Sequence, residues 1–362
     1  KLTHEKVRPI AAKMDETDEF SWDLVRIFTE NGLLSPSVPQ RFGGPEISYL
    51  LFSIILEEIS KVSAAAALLL IAQADGMAPI LIGGNEEQKE KYMPGFVQGK
   101  LACFAATEPD AGSDIQAMKT RAVRKGKGYV INGQKCFITN GSVADVMTLF
   151  VYTDPAKKSK GISAFIVEKG AYGLVYGKNE DKMGMRGSIN SQLFFEDLYI
   201  DEKNRIGEEG EGLRILMKTI EVARFQTASQ AVGLAQGAID EAVKYTKQRV
   251  QFGRPIADLQ AIQFMIADMV AATEASRLLT RQAASNLDNG RIKDIPLSCS
   301  IAKFMASDNA MKVTTDALQI FGGYGYMKDF PMERMMRDAK IIQIYTGTNQ
   351  IMRLVAAREI FK

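Results

Sequence analysis

Helical and strand-like patterns occupy separate stretches of this chain, and this separation constrains the fold more than any single motif. Residues 1–99 are helical in pattern, residues 100–208 contain short β-type runs, and residues 209–362 are helical again. Segregated runs favour an α+β architecture over alternating βαβ units. We therefore predict an N-terminal helical domain at 1–99, a middle β domain at 100–208 and a C-terminal helical bundle domain at 209–362.

The first region contains three patterns that predict helices. Residues 24–28 form an apolar stripe that ends at Asn31-Gly32, a favourable helix end. Residues 64–72 are rich in Ala and Leu and lack a polar face, which predicts a buried helix. Asn85 precedes acidic residues, as expected of an N-cap. The run at 64–72 is too short to span a membrane, so no membrane-spanning segment is predicted.

The middle region alternates strand-forming runs with turn signals. Runs rich in β-branched and aromatic residues predict strands at 129–131, 147–152, 162–167 and 193–200. Turn dipeptides lie at Asn132-Gly133, Asn140-Gly141 and Asp154-Pro155. We expect a small barrel or sandwich, built in part from hairpins.

The last region predicts long helices with short connections. Val232, Ala235, Ile239 and Val243 share one helical face. Further helices are predicted at 257–287 and 296–321, and helices of this length imply a bundle.

Composition excludes several classes of function. The net charge of +2 does not indicate a nucleic-acid or membrane partner. The 3 cysteines lie far apart without CxxC spacing, which argues against disulfides and zinc and for a reducing compartment. His4 is the only histidine, so histidine-based catalysis and metal binding are close to excluded. We expect a cytoplasmic protein, or one of the mitochondrial matrix if the source is eukaryotic.

Three segments near the C-terminus carry a family signature. They are Gly322–Tyr326 (GGYGY), Arg337–Lys340 (RDAK) and Gln343–Gln350 (QIYTGTNQ). Together they resemble the flavin-dependent acyl-CoA dehydrogenases. The resemblance implies FAD as cofactor, an acyl-CoA thioester as substrate, and an electron-transferring flavoprotein as partner. It also implies an N-terminal α domain, a middle β domain and a C-terminal four-helix domain, usually in a homotetramer.

Two segments of the middle region resemble the family's flavin-binding segments. They are residues 103–114, which include Phe104, and residues 137–141. The resemblance implies that Thr107 bonds the pyrimidine edge of the flavin, that Thr139 contacts its N5 side, and that Phe137 covers a ring face. Donors at these positions would stabilise the negative charge of a reduced flavin. Ser113 matches a position associated with the CoA portion of the substrate.

A third segment, residues 249–260, resembles the family's pyrophosphate segment. Arg249 is the matching arginine, and a guanidinium suits bidentate phosphate recognition. The alternative interpretation is an exposed helix end with a Gly-Arg-Pro turn. The resemblance assigns FAD contacts, some across a subunit interface, to Arg249, Phe252, Gln260, Gln319, Gly323, Thr348 and Gln350.

Glu221 and Arg224 match an acid–arginine pair that grips pantetheine and CoA in the family. Residues at i and i+3 share a helix face, so an exposed intrahelical ion pair is the alternative. Tyr345 is also predicted to contact the substrate.

The family's catalytic base is absent from its two known positions. The glutamate that removes the substrate proton is replaced by Thr346, whose hydroxyl cannot act as a general base at neutral pH. Another branch places the glutamate directly before the arginine, where this chain has Ala223. Asp75 lies in the stretch that matches the lining of the acyl cavity, at a usually apolar position. It is either a relocated base, an N-cap for the following helix, or a satisfied structural aspartate.

A relocated base suggests that the acidic hydrogen lies elsewhere on the acyl group. The hypothesis is 1,4-dehydrogenation of cyclohex-1-ene-1-carboxyl-CoA to cyclohexa-1,5-diene-1-carboxyl-CoA, as in anaerobic metabolism of alicyclic and aromatic acids. Thr346 retains the backbone N–H that holds the thioester oxygen in the family. The alternatives are 1,2-dehydrogenation of a saturated cyclic or branched acyl-CoA, a reductase working in the opposite direction, and an inactive FAD- or CoA-binding scaffold.

Overall fold

The computed structural model describes residues 1–362 and begins with five α-helices. Helices α2 to α5 each start after a Ser or Asn whose side chain accepts a backbone N–H, which satisfies one unpaired donor of the first turn. The predicted cap at Asn85 is confirmed, and it forms a capping box with Gln88. The helices are α1 (Arg8–Thr17), α2 (Trp22–Glu30), α3 (Tyr49–Ser60), α4 (Ala64–Gly83) and α5 (Glu86–Val97).

Helix α4 is longer than its sequence pattern predicts. The Ala/Leu run continues through Asp75 and Pro79 to Gly83 as one helix. By length and hydropathy this is the one helix that meets the criteria for a membrane span, which corrects the prediction made from residues 64–72 alone. In its most apolar window, 78% of the residues are buried inside the protein. Helix α4 is thus a core helix of this fold.

The middle of the chain forms an 8-stranded mixed sheet. Most neighbours are antiparallel, whereas β1 pairs with β4 in parallel. The prediction of a turn at Asn132-Gly133 is wrong, because this dipeptide lies inside β3, where the register with β7 shifts at a bulge. The strands are β1 (Ala102–Ala105), β2 (Arg121–Lys125), β3 (Gly128–Thr139), β4 (Val146–Tyr152), β5 (Ile162–Glu168), β6 (Leu174–Asn179), β7 (Asn190–Asp201) and β8 (Arg205–Ile206).

The remainder is helical, apart from a short hairpin of β9 (Val250–Gln251) and β10 (Arg254–Pro255). The longest helix has 37 residues and packs along α3, α4 and the other bundle helices. The helices are α6 (Gly212–Gln248), α7 (Gln260–Asp288), α8 (Ile295–Phe321), α9 (Met332–Ile342) and α10 (Asn349–Ile360).

Helix α4 lies between the sheet and the bundle and positions the site. It contacts α6 on one side and strands β1 and β4 on the other. Gly76 makes this approach possible, because a Cβ atom there would lie 2.7 Å from both the Ala102 Cβ and the Cys103 backbone nitrogen. The α+β class predicted from the segregated patterns is confirmed.

Candidate active site

Asp75 lies in the interior of α4 rather than at a helix start. The N-cap of α4 is Ser63, whose hydroxyl accepts the N–H of Ala66, so the interpretation of Asp75 as an N-cap is wrong. Asp75 is half-buried by its accessible surface, and its carboxyl group is surrounded by protein atoms. It has no hydrogen bond or ion pair with the protein, and burial raises the pKa of its carboxyl group to about 8.

Tyr345, in the segment after α9, is near enough to this carboxyl group to be affected by its charge. Its hydroxyl donates a hydrogen bond to Gln230 Oε1 on α6. Burial, and after it the nearby Asp75 carboxylate, raise the pKa of the Tyr345 phenol above its ordinary range. The structure therefore brings together two predicted site residues and adds Gln230, which the sequence pattern did not single out.

Thr346 follows in the same segment and adopts a left-handed backbone conformation. Its φ of 55° is uncommon for a β-branched residue and marks a constrained turn. Thr227 on α6 donates a hydrogen bond of 3.2 Å to the Thr346 hydroxyl. Ala223, four residues earlier on α6, is buried. The two positions at which the family carries a glutamate are therefore neutral.

Lys303 tethers this segment through hydrogen bonds. The sequence analysis did not identify it as a site residue. Its ammonium donates to the Gly347 carbonyl at 2.8 Å and to Asn349 Oδ1 at 2.9 Å. The side chain is fully buried, and burial lowers the pKa of Lys303 to about 7. A lysine within the buried stripe Cys299, Ala302 and Ala306 of α8 is the signal that could have identified it.

Arg224 is buried on α6 and incompletely paired. Its Nη1 donates to the Ser300 hydroxyl at 3.2 Å, while its buried Nε has no partner. No ion pair forms with Glu221, and burial lowers the pKa of the Arg224 guanidinium and raises that of the Glu221 carboxyl. The alternative of an exposed intrahelical ion pair is therefore wrong. A buried guanidinium with an unused donor is suited to a polar or anionic ligand.

The two predicted flavin segments lie side by side in the structure. The Cys136 N–H donates to the Thr107 carbonyl at 3.0 Å, which places the segment after β1 beside β3. Phe137 is 64% exposed with φ of 56°, so its ring projects from the strand. Thr139 bonds Asn190 at 3.2 Å, and Phe104 packs on Phe150. An exposed aromatic ring flanked by hydroxyl and backbone donors fits the face and polar edge of a flavin.

A buried ion pair supports the Thr107 segment and was also missed. Lys135 on β3 donates to Glu108 at 2.8 Å and to the Ala106 carbonyl at 2.9 Å. Glu108 also accepts the N–H groups of Lys119 and Thr120. The pair thus fixes the residues on either side of Thr107. Ser113 lies exposed in the same loop without a side-chain contact to the other predicted residues.

The pyrophosphate segment borders a separate cavity of about 510 Å³. Arg249, Phe252 and Gly323 line this cavity, and the Arg249 guanidinium lies 5.5 Å from the centre of the Tyr324 ring. Four other residues that were predicted to contact the cofactor do not line this cavity. Gln260 and Gln319 are exposed, Thr348 caps α10 by accepting the N–H of Ile351, and Gln350 is exposed in the first turn of α10.

Comparison with known proteins identifies the family along almost the whole chain. Residues 1–100 match the acyl-CoA dehydrogenase N-terminal domain, residues 103–198 its middle domain and residues 210–361 its C-terminal domain. A solved chain from work on the electron transferring flavoprotein of Acidaminococcus fermentans is 44% identical. It superposes with a TM-score of 0.97, over 100% of this chain and 95% of that chain.

Two curated relatives share more than half of their residues with this chain. The cyclohex-1-ene-1-carbonyl-CoA dehydrogenase of Geobacter metallireducens is 59% identical, over 98% of this chain and 93% of the relative. The enzyme of the same name from Syntrophus aciditrophicus is 55% identical, over 99% of this chain and 87% of the relative. The chain therefore belongs to the acyl-CoA dehydrogenase family and is an FAD-dependent oxidoreductase that acts on acyl-CoA thioesters.

Proposed function

We propose that the protein catalyses 1,4-dehydrogenation of cyclohex-1-ene-1-carboxyl-CoA to cyclohexa-1,5-diene-1-carboxyl-CoA, with Asp75 as the general base. One observation carries the proposal: in the interior of α4, Asp75 has no hydrogen bond or ion pair, and burial raises the pKa of its carboxyl group to about 8. Thr346 and Ala223 leave the ordinary base positions without an acid. The names of the two curated relatives support the choice of acyl group.

The chemistry follows from the conjugation of the substrate. Hydrogens on C3 of the ring are acidic, because the C1–C2 double bond relays the developing charge to the thioester carbonyl. Asp75 takes one proton from C3, the C1–C2 double bond moves to C2–C3, and a hydride leaves C6 as the C1–C6 double bond forms. When bound, FAD supplies the hydride acceptor. Asp75 then releases its proton to solvent, which leaves the diene thioester and a two-electron-reduced cofactor.

The thioester oxygen would be held by the backbone N–H of Thr346. That N–H lies in a turn held by Thr227 at 3.2 Å and, through Gly347, by Lys303 at 2.8 Å. Donors fixed before the reaction stabilise a developing enolate without reorganisation. Thr346 is thus proposed to act in catalysis through its backbone, while Asp75 accepts the proton.

The remaining predicted residues would bind the rest of the substrate and the cofactor. Arg224 and Glu221 would contact the pantetheine, Ser113 the CoA portion, and Tyr345 the acyl ring. Around FAD, the flavin would be held by Phe104, Thr107, Phe137 and Thr139, and the pyrophosphate and adenosine by Arg249, Phe252, Gln260, Gln319, Gly323, Thr348 and Gln350.

Substitution of the proposed base tests the function. Asp75→Asn is expected to lower turnover of the cyclic monoene thioester by roughly 10²–10⁴ while FAD remains bound, because the amide cannot accept the proton. The measurement is anaerobic bleaching of the flavin absorbance by a panel of acyl-CoA thioesters. Asp23→Asn, at an exposed carboxylate on α2, is the matched control and should bleach at the wild-type rate.

The same panel separates the alternatives. Bleaching by the cyclic monoene alone supports 1,4-dehydrogenation, whereas bleaching by saturated cyclic or branched thioesters supports 1,2-dehydrogenation. Oxidation of the reduced enzyme by the diene would measure the reverse, reductive direction. Near-normal turnover of Asp75→Asn would remove Asp75 from the mechanism.

We further propose an electron-transferring flavoprotein as the electron acceptor, in a cytoplasmic setting. A two-electron-reduced flavin needs an external oxidant for the next turnover. The similarity to a chain from work on such a flavoprotein of Acidaminococcus fermentans supports this partner. Steady-state turnover with a purified electron-transferring flavoprotein, compared with an artificial dye, tests the proposal. Turnover with the dye and none with the flavoprotein would oppose it.

A further inference from the structure

We propose that the buried Lys135–Glu108 ion pair is a positioning pair that ties the two predicted flavin segments together and thereby sets the reduction potential of bound FAD. The inference rests on the proposed function, because the pair would act through the flavin contacts proposed for Thr107 and Phe137. It is carried by the hydrogen bonds around Thr107 in one segment and by a bulge at Phe137 in the other.

The backbone of Thr107 is held on both sides from β3. The Lys135 ammonium donates to the Ala106 carbonyl at 2.9 Å and to Glu108 Oε1 at 2.8 Å. Between these two bonds, the Cys136 N–H donates to the Thr107 carbonyl at 3.0 Å. Thr107 itself is half-buried, and its hydroxyl makes no hydrogen bond with the protein. The main chain at Thr107 is therefore fixed, while its hydroxyl stays available to a ligand.

The same lysine stands next to the bulge that turns Phe137 outward. The register of β3 with β7 shifts after Lys135, so that Cys136 and Phe137 lie opposite a single residue of β7. Phe137 has a φ of 56° and is largely exposed. Lys135 is thus the last residue paired before the bulge, and Cys136 inside the bulge bonds Thr107. One anchored residue therefore determines both where Thr107 lies and where the bulge projects Phe137.

Burial makes the pair a rigid support. Lys135 is 1% exposed and Glu108 is 4% exposed. Glu108 also accepts the backbone N–H groups of Lys119 and Thr120, which fixes its carboxylate. A buried charge that loses its partner is strongly unfavourable, so neither side chain can move away from the other. Because the pair carries no net charge, we expect it to act on the flavin through the position of Thr107.

The position of Thr107 matters for the energetics of reduction. When bound, FAD gains negative charge at the pyrimidine edge as it is reduced, and donors held at that edge stabilise the reduced form. A displaced Thr107 would weaken the binding of reduced FAD more than the binding of oxidised FAD. Loss of the pair is therefore expected to lower the reduction potential.

The test is a spectroelectrochemical titration of the holoenzyme in the absence of any thioester. Lys135→Met is expected to reduce the preference for reduced over oxidised FAD about tenfold, which lowers the two-electron potential by about 30 mV. In Lys135→Met/Glu108→Gln no buried charge is left unpaired, so chemical denaturation should show a smaller loss of stability. Its potential is expected to stay low, because the Ala106 carbonyl still lacks the lysine donor. Lys127→Met, at an exposed lysine between β2 and β3, is the control and should keep the wild-type potential.

The double variant keeps the proposal testable if Lys135→Met does not fold. A wild-type potential in folded Lys135→Met would overturn the proposal. So would a potential that falls in Lys135→Met and recovers in the double variant, because the unpaired charge of Glu108 would then be the cause. Thr107→Val should also lower the potential, and no change there would remove the flavin contact on which the inference depends. These outcomes are independent of Asp75, because no substrate proton is transferred in the titration.

Discussion

At Asp75, burial and charge oppose each other. A carboxylate enclosed by protein without partners favours its neutral form, and this is why its pKa rises to about 8. Such a group is a poor structural element but a good proton acceptor near neutral pH, where a general base works best when its pKa is close to the working pH. In the proposed mechanism, Thr346 is neutral and contributes only its backbone N–H to the thioester oxygen.

The pH dependence of kcat/KM should report this residue. Only the deprotonated carboxyl group can accept the C3 proton, so kcat/KM is expected to increase with pH and level off above about 8. The measurement is anaerobic stopped-flow reduction of the flavin by the cyclic monoene thioester across pH 6 to about 10. A profile that levels off near pH 5, the range of an ordinary carboxyl group, would contradict the assignment.

Among the elements, α4 and the segment between α9 and α10 determine the positions of the proposed catalytic groups. Helix α4 carries Asp75 and rests on β1 through Gly76. The segment carries Tyr345 and Thr346 and is tied down by Lys303. Small shifts of either element would move the proposed base relative to the thioester.

Gly76→Ala is expected to destabilise the protein by about 1–3 kcal/mol, because the new methyl group would overlap Ala102 and the Cys103 backbone nitrogen at 2.7 Å. The higher helix propensity of alanine, about 1 kcal/mol, acts in the opposite direction and is the smaller effect. Chemical denaturation measures the difference, and turnover should fall with it. Gly112→Ala, where no atom lies within 4 Å, is the control for stability. Equal stabilities of the two variants would contradict this account of the α4–β1 contact.

Lys303→Met should loosen the segment that carries Thr346. The carbonyl of Gly347 and the side chain of Asn349 lose a buried donor, which costs about 1–3 kcal/mol of unfolding free energy. Turnover is expected to fall as well, because the Thr346 N–H is no longer held in place. Lys312→Met removes an exposed lysine from the same helix and should change neither property. Wild-type turnover in Lys303→Met would show that the tether does not affect the site.

For the whole molecule, the exposed apolar surface points to assembly. Phe252 is 91% exposed, and Phe264 and Leu278 on α7 are 60% and 67% exposed, so a single copy leaves several large apolar side chains in contact with solvent. Two further residues predicted to contact the cofactor, Gln260 and Gln319, are exposed and do not line the cavity that Arg249 borders. Both features support the proposed homotetramer.

The homotetramer gives a direct prediction. Light scattering coupled to size-exclusion chromatography should give four times the chain mass of 39.9 kDa. Leu278→Glu is expected to give a smaller assembly, because a charge would be buried in the contact between copies. Val123→Glu, at an exposed apolar residue of β2, is the matched control and should leave the mass unchanged. A monomeric wild-type protein would contradict the proposal.

Much of the architecture followed from local patterns, and the cofactor class followed from the resemblance of contiguous motifs to a known family. Helix periodicity, the Asn85 cap and the β-branched runs act over a few residues, so they can be read from the chain. The motif around Thr346 was likewise contiguous, and it indicated both the family and the missing glutamate. The bulge at Asn132-Gly133 was misread as a turn, because only pairing with β7 decides between them.

Only the tertiary structure determined which side chains of the site form hydrogen bonds with one another. The Tyr345–Gln230 bond joins residues 115 positions apart, and the Lys303–Asn349 bond joins residues 46 apart. No local pattern encodes such partners. The sequence is also compatible with Asp75 as a helix cap, a relocated base or a structural aspartate, and its position in the interior of α4 excludes the cap. The sequence determined which chemical groups this chain possesses. Burial and long-range contacts determined their protonation and the direction of their hydrogen bonds, because both depend on neighbours that folding brings together.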